Sequence, residues 1–359
     1  MRVTMSWADI TPTSKAYVND VLNSGWLSRK TMIPRFEKEI AELHGGKYGV
    51  FMNSGTDALR ISLLTLKEVY GWQNGDEVII PGLTFVASAN AVLQSGLSPV
   101  FVDVQRETGN IEPSQIATHV TPLTRAVLAV HLFGQPASMP AVMSVAKKYN
   151  LRIVEDSCET VGVHRLEGDM ACFSFYVSHH VQCGVGGMMV TQNAKHERVA
   201  RSYMNHGRTD DGSHFEFSRI GYSSRATEME AALGLAGLET LSENLDKRRD
   251  LASQYLAQLM FIPALNIPAF QNSHSWMFMP ITLRSGNRDK LLRRLKACGI
   301  ESREAMPLIN QPCYKGMYKK GSCPNAEFWT ANGLLLPLHP LMDKKQMDYV
   351  CKTLREFFQ

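Results

Sequence analysis

The chain has no run of apolar residues long enough to cross a bilayer. Its start, MRVTMSWADI, lacks a charged segment followed by an apolar core, so no signal peptide is expected. Cysteine is sparse: seven are scattered from Cys158 to Cys351, with no CxxC pair. An odd number at irregular spacing excludes a disulfide framework and a structural zinc, and no metal is expected. Buried or idle thiols in a reducing cytoplasm fit instead, so a cytoplasmic location is expected. Charge of one sign is not concentrated either. The net charge of +4 is spread over 359 residues, which gives no footprint for nucleic acid. There is no P-loop, no internal repeat and no low-complexity stretch. GVGG at 184–187 precedes an apolar strand rather than a helix, so it reads as a tight turn and not as a dinucleotide fingerprint.

What is present alternates. From about residue 50, helix-spaced segments such as SGTDALRISLLTLKEVYGW are followed by short Val/Ile-rich runs: VIIP, PVFVDV, RAVLAV and LRIVED. Strands separated by helices imply right-handed crossovers and a mostly parallel sheet flanked by helices. After about residue 240 the pattern changes. ENLDKRRDLASQYLAQL reads as a long charged helix, and NSHSWMFMPITL as a strand. A further helix, a Pro-rich stretch and a last helix complete the chain. The expected architecture is α/β: a large domain over 1–240, with an N-terminal arm of about 25 residues, and a smaller α+β domain over 241–359.

Three short stretches carry chemistry. NSGTDAL at 53–59 places Ser54, Gly55 and Thr56 at a helix start. That is either a plain N-cap or an anion site made of amides and hydroxyls. Ser174, a second hydroxyl just ahead of a histidine pair, favours the anion site. VEDS at 154–157 ends a parallel strand, where open α/β sheets bind ligands, so Asp156 is either a cap or an acid facing a protonated ring nitrogen. Phe85, just after VIIP, either stacks on a flat ring or joins the core. A phosphate cup, an acid for a pyridinium and an aromatic lid are together the parts of a pyridoxal phosphate site.

At this point the chain resembles the sugar aminotransferases of the DegT/StrS type, within the aspartate aminotransferase-like group (PLP fold type I). The likeness lies in SGWLS (24–28), FEKEIAELHGGKYGVFMNSGTDAL (36–59), GDEVIIPGLTFVASANAV (75–92), VHLFGQP (130–136), VEDSCETVG (154–162), IGYSSRATEMEAALG (220–234) and LLLPLHP (334–340). The resemblance implies that Gly55, Thr56 and Ser174 hold the coenzyme phosphate, Phe85 stacks on the ring, Asp156 meets its nitrogen and Glu159 lies near its phenolic oxygen. It also implies a homodimer with sites at the subunit interface. Three departures stand out. His179 falls on the lysine that forms the Schiff base; the usual GEGG reads GVGG, with Val185 for glutamate; and GYN reads GYS, with Ser223 for the asparagine that reaches the neighbouring subunit's phosphate.

Imidazole cannot form a Schiff base, so pyridoxal or pyridoxamine phosphate would be held without a covalent link. Histidine can still move a proton, its ordinary pKa lying near working pH. The HH pair, His179–His180, resembles the sugar 3-dehydratases of this family, typified by GDP-4-keto-6-deoxy-mannose 3-dehydratase. That likeness implies glutamate as amino donor, a nucleotide-linked 4-keto-6-deoxy sugar as substrate, and loss of the C3 hydroxyl with His179 as base. His180, Arg208 and Arg225 are candidate substrate contacts, though a solvated surface role fits either arginine equally. A related branch holds an iron–sulfur cluster through a CxC; none exists here, so no cluster is expected. The segment MPLINQPCY resembles the aminotransferases more closely, so an aminotransferase-like activity stays open, as does a non-catalytic coenzyme or sugar-nucleotide binder.

Overall fold

The computed structural model describes residues 1–209 and 215–359. Its larger sheet has seven strands: β1 (Tyr48–Met52), β2 (Glu77–Pro81), β3 (Ser98–Val102), β4 (Thr124–Val130), β5 (Arg152–Asp156), β6 (Met170–Ser174) and β7 (Gly187–Thr191). They lie in the order β1-β7-β6-β5-β4-β2-β3. From β6 to β3 every pairing is parallel. Only β7 runs against its neighbours, β1 and β6. This is the expected mostly parallel sheet.

Helices cover both faces: α1 (Pro12–Ser24), α2 (Met32–Leu43), α3 (Gly55–Tyr70), α4 (Val86–Gln94), α5 (Pro113–Thr118), α6 (Met139–Tyr149), α7 (Ala194–Met204) and α8 (Glu228–Leu259). Strand alternation sorts the core. Val78, Ile80 and Leu128 join the cluster that includes α3 and α4, whereas Ile79, Val127 and Ala129 meet Met139, Val142 and Ala146 of α6. With both faces buried, these strands read as near-continuous apolar runs, which is why they were legible.

Helix α8 has 32 residues and runs straight through position 240. A capping box starts it, Thr227 and Glu230 bonding each other's backbone amides. The remainder comprises β8 (Leu265–Asn266), β9 (Met279–Leu283), α9 (Arg288–Ala297), β10 (Arg303–Glu304), α10 (Pro324–Asn332), β11 (Gly333–Leu336) and α11 (Lys344–Phe358). Its four strands form a second sheet, β10-β11-β9-β8. The strand expected over the whole of 272–283 is shorter, because Trp276 sits at φ 52°, outside the extended region, and its amide turns back to His274 Nδ1 at 2.8 Å. Met277, Ala305, Leu308, Trp329 and Leu335 join the core cluster of the large sheet. That packing carries β10 to the carboxyl edge of the parallel strands.

Candidate active site

A cavity of about 360 Å³ opens at that edge. It is lined from α3 (Ser54, Gly55, Thr56), the β2–α4 turn (Thr84, Phe85), the end of β5 and the turn after it (Asp156, Cys158, Glu159), the end of β6 (Ser174), the β6–β7 loop (Tyr176, Ser178, His179, Val185) and β10 (Arg303). The size is that of an ordinary small-molecule site.

At one end, Ser54 caps α3, its hydroxyl accepting from Asp57 N at 3.1 Å. The other first-turn amides have no partner within the helix, and the dipole favours an anion there. Two glycines let the walls close on this point. A Cβ on Gly55 would lie 2.8 Å from Ser174 Cβ, and one on Gly187 would lie 2.2 Å from the Ser54 carbonyl. Gly187 is therefore a close-approach position pressing β7 against the start of α3, while Gly184 and Gly186, at φ 84° and 149°, make the expected turn before it. Val185 is the one position there whose side chain is free; it stands half-exposed at the cavity mouth. Gly187→Ala collides with backbone that cannot swing away. It is expected to cost on the order of 2–4 kcal/mol in stability and to abolish anion binding, as read by thermal unfolding and ligand titration.

Next comes the acid pair that ends β5. Alternation sends its two carboxylates to opposite faces. Asp156 is buried; Oδ2 accepts from Ser88 Oγ at 2.8 Å, which in turn meets Thr84 Oγ1 at 3.0 Å, and Oδ1 accepts from Cys158 N at 3.3 Å. Glu155, on the other side, is filled by four donors. Oε2 accepts from His131 Nε2 at 3.1 Å and His164 Nε2 at 2.6 Å, and Oε1 from the amides of Glu167 and Gly168. Burial works against this charge, but the two imidazole hydrogen bonds outweigh it and hold the carboxyl down at about 2. These three side chains are close enough to surround a cation. However, His131 Nδ1 accepts from Ala137 N, so its Nε2 bears the proton and is a donor to Glu155. The cluster holds together as hydrogen bonds without an ion.

Glu159 behaves oppositely. Burial raises it to about 7, against the opposing pull of Arg303 and of the Phe133 amide, which donates to Oε2 at 2.5 Å. Phe133 makes that bond from a left-handed conformation, φ 61°, a strained setting typical of functional sites. His179 hangs in the β6–β7 loop, its amide donating to Tyr176 O at 2.8 Å. Its ring is partly buried, with Nδ1 shielded from solvent and unpartnered. Burial, then the charges of Arg248 and Arg303, lower it to about 3. Burial and the two arginines thus favour the neutral imidazole in the unliganded cavity.

The structure thus brings Gly55, Thr56, Phe85, Asp156, Glu159, Ser174 and His179 around one cavity, Phe85 half-exposed at its mouth. It does not bring the others. His180 is turned away, its Nε2 near Ser275 O at 3.3 Å and its ring beside Arg248 and His339. Ser223 and Arg225 are exposed and bonded to each other at 2.9 Å, Arg225 also donating to Asn205. Arg208 lies over the ring of Phe215. None of these four lines the cavity of its own chain. Sequence reading missed Ser88, Tyr176 and Arg303. Ser88 had a weak signal, one turn after Thr84; Arg303 is one of 38 basic residues and had none.

Fold and cavity define an α/β protein with a ligand site at the carboxyl ends of a mostly parallel sheet, closed on one side by a smaller C-terminal sheet. Residues 8–355 match the DegT/DnrJ/EryC1/StrS aminotransferase family, and the chain belongs to it. GDP-perosamine synthase of Escherichia coli O157:H7 is 32% identical over 358 residues, 97% of this chain and 96% of that one. Among solved structures, DesV of S. venezuelae superposes with a TM-score of 0.91 at 32% identity, covering 100% of this chain and 99% of that one. The E. coli GDP-4-keto-6-deoxy-D-mannose-3-dehydratase with bound hydrated PLP gives 0.90 at 26% identity, covering 99% and 100%. The fold is that of PLP-dependent sugar aminotransferases, and the coenzyme of the family is pyridoxal or pyridoxamine phosphate.

Proposed function

We propose that this chain uses pyridoxal or pyridoxamine phosphate, held without a covalent bond, to remove the C3 hydroxyl of a nucleotide-linked 4-keto-6-deoxy sugar. One observation carries the reading: an imidazole, His179, lines the cavity, and no lysine does so among the described residues. The lining fits the coenzyme. Gly55 and Gly187 leave no room for side chains where a phosphate would sit, and Asp156 is fixed by Ser88 with its carboxylate at the cavity wall.

In this reading Gly55, Thr56 and Ser174 hold the phosphate, Phe85 covers the ring and Asp156 keeps a proton on the ring nitrogen. When bound, the coenzyme supplies an amine for the sugar ketone and a conjugated ring that accepts electrons. The neutral His179 imidazole removes the proton from the reacting carbon. Glu159, raised by burial to about 7, would be the carboxyl near the phenolic oxygen, able to hold or release a proton there at neutral pH. Glutamate is the amino donor. The stoichiometry closes: keto sugar plus glutamate gives 3-deoxy keto sugar, 2-oxoglutarate and ammonia.

The test is product analysis on reconstituted protein with glutamate and a GDP- or dTDP-linked 4-keto-6-deoxy sugar. A 3-deoxy product with ammonia release is expected, and borohydride should fix no coenzyme to the chain. Covalent labelling sinks the untethered coenzyme. A 4-amino sugar without ammonia establishes the second reading, sugar amination, which the likeness to GDP-perosamine synthase favours.

The domain division at about 240, with an arm over 1–25, is part of the same proposal, as is a homodimer in which Ser223, Arg208 and Arg225 serve the neighbouring subunit's site. Exposed Trp26, Phe217 and Ile220 support such a contact. A cytoplasmic location, where sugar nucleotides and a reducing environment meet, belongs to the proposal too. No helix among the described residues is long and apolar enough to cross a membrane.

A further inference from the structure

The β6–β7 loop carries His179 on a short ladder. Phe175 N donates to Gly186 O at 2.9 Å, Cys183 N to Phe175 O at 2.9 Å and Val177 N to Gly184 O at 3.1 Å. Beyond that ladder the histidine is held lightly. Its amide donates to Tyr176 O, and its ring Nδ1 is buried without a partner. An imidazole that moves protons is ordinarily aimed by a hydrogen bond at its second nitrogen. No protein group among the described residues supplies that bond at Nδ1, so the aim of the ring depends on its backbone.

One side chain ties that backbone to the rest of the molecule. Gln182 Nε2 donates to His179 O at 3.3 Å and to Trp7 O at 3.1 Å, while Oε1 accepts from Asp9 N at 3.0 Å. Two carbonyls face the NH2 group and one N–H faces the oxygen, so a single orientation of the amide satisfies all three. The N-terminal segment it grips is anchored elsewhere. Val3 is fully buried, pairs with Ile300, donates to Gly299 O and accepts from Glu301 N, both at 2.9 Å. Met5 N donates to Glu301 Oε2 at 3.0 Å. At the far end the Thr11 hydroxyl caps α1, accepting from Ser14 N at 3.1 Å. The segment therefore spans from the chain just ahead of β10 to the start of α1, and Gln182 fastens its middle to the His179 loop.

We infer that Gln182 is a positioning residue: it aims the His179 imidazole into the cavity by clamping the His179 carbonyl to the N-terminal segment. This rests on the functional reading above, in which His179 is the base. A base must lie within hydrogen-bond reach of the proton it takes, and a small misplacement is costly. A clamp on the backbone supplies that placement while leaving both ring nitrogens free of it.

The experiment compares two variants with wild type by hydrogen exchange and by steady-state kinetics on coenzyme-loaded protein. Gln182→Leu keeps most of the bulk and removes all three bonds. Gln182→Glu keeps the acceptor for Asp9 N but loses the donors to Trp7 O and His179 O. In Gln182→Leu, exchange at the amides of Asp9 and His179 should quicken about tenfold. Its kcat should fall about ten- to hundredfold, with KM for the keto sugar within about twofold. Gln182→Glu should lose kcat likewise while the Asp9 amide stays protected. In a His179→Ala background, Gln182→Leu should cost nothing further, because a positioning residue acts through the group it positions. A loss that persists without the imidazole overturns the inference, as does wild-type kcat in Gln182→Leu. Unfolding temperature and coenzyme absorbance are the folding controls, and if Gln182→Leu does not fold, Gln182→Glu carries the same comparison. Wild-type protein that turns over neither keto sugar defeats the functional reading by itself. Carbethoxylation of His179, mapped by mass spectrometry on coenzyme-free protein, then decides: a rate unchanged in Gln182→Leu overturns the clamp, and a several-fold change upholds it.

Discussion

Replacing His179 by alanine is expected to lower turnover about 10²- to 10⁴-fold, the ordinary contribution of a positioned proton-transfer group. Coenzyme affinity should change little, because the residues proposed to hold it come from other elements: Gly55 and Thr56 from α3, Ser174 from β6 and Asp156 from β5. His179→Lys separates the readings further. It restores a primary amine, so borohydride should now fix coenzyme to the chain, and the product should shift from a 3-deoxy sugar towards an amino sugar. If His179→Ala keeps full activity, the imidazole is not the base.

The pH profile gives an independent check. With His179 at about 3, its ionisation cannot set an acid limb between pH 5 and 8. Glu159, at about 7, can. An inflection of kcat/KM near neutrality is therefore expected, and Glu159→Gln should remove it. An inflection that survives Glu159→Gln but disappears in His179→Asn would show that bound substrate or coenzyme restores the imidazole to its ordinary range.

Much of this site was readable beforehand because its parts are local. Ser54–Gly55–Thr56 is a helix start, Asp156 ends a buried strand, and His179 stands out by type alone. GVGG reads as a turn, and Gly184 and Gly186 make one at φ 84° and 149°; Gly187 carries a further constraint that is tertiary, since it abuts the Ser54 carbonyl, over a hundred residues away in sequence. Arg303 was illegible for the same reason. Nothing near it in sequence marks it, and only the packing of β10 and β11 against the larger sheet brings it to the cavity. The ionisation of His179 is not legible from residue type alone, which sets only a reference value, because burial and the charges of Arg248 and Arg303 shift it downward. His180 shows the limit of adjacency, since the loop sends the two rings of the pair to different surroundings.

Unfolding on mild acidification is the second large effect expected. Several histidines are buried as neutral rings with both nitrogens committed or enclosed. His44 donates from Nδ1 to His164 O at 2.5 Å and accepts at Nε2 from Gly162 N at 3.4 Å, while packing on Phe173. His274 accepts at Nδ1 from Trp276 N at 2.8 Å, stacks on that indole at 4.0 Å, and has Nε2 enclosed without a partner. His339 is buried with both nitrogens unpartnered. Burial lowers His44 and His339 to about 4 and His274 to about 3. His131 and His180 are lowered by the same cause. The sign comes from linkage. Above the unfolded-state value of 6.5 both states are neutral, and these groups contribute nothing. Below it the unfolded chain binds protons that the folded chain refuses, so stability falls with pH until the folded values are reached. Each group removes about 1.4 kcal/mol per pH unit in that window, and three of them remove about 4. Glu155 acts in the same direction below its unfolded value of 4.5, since its folded pKa is about 2. Against a total stability of about 5–15 kcal/mol, this predicts cooperative loss of far-UV circular dichroism with a midpoint near pH 5. His44→Gln keeps one donor and one acceptor but cannot take up a proton there, and should move the midpoint to lower pH. A protein that stays folded to pH 4, or a midpoint that His44→Gln leaves in place, would mean that the buried imidazoles gain protonated partners on acidification, through water entering beside His274 and His339.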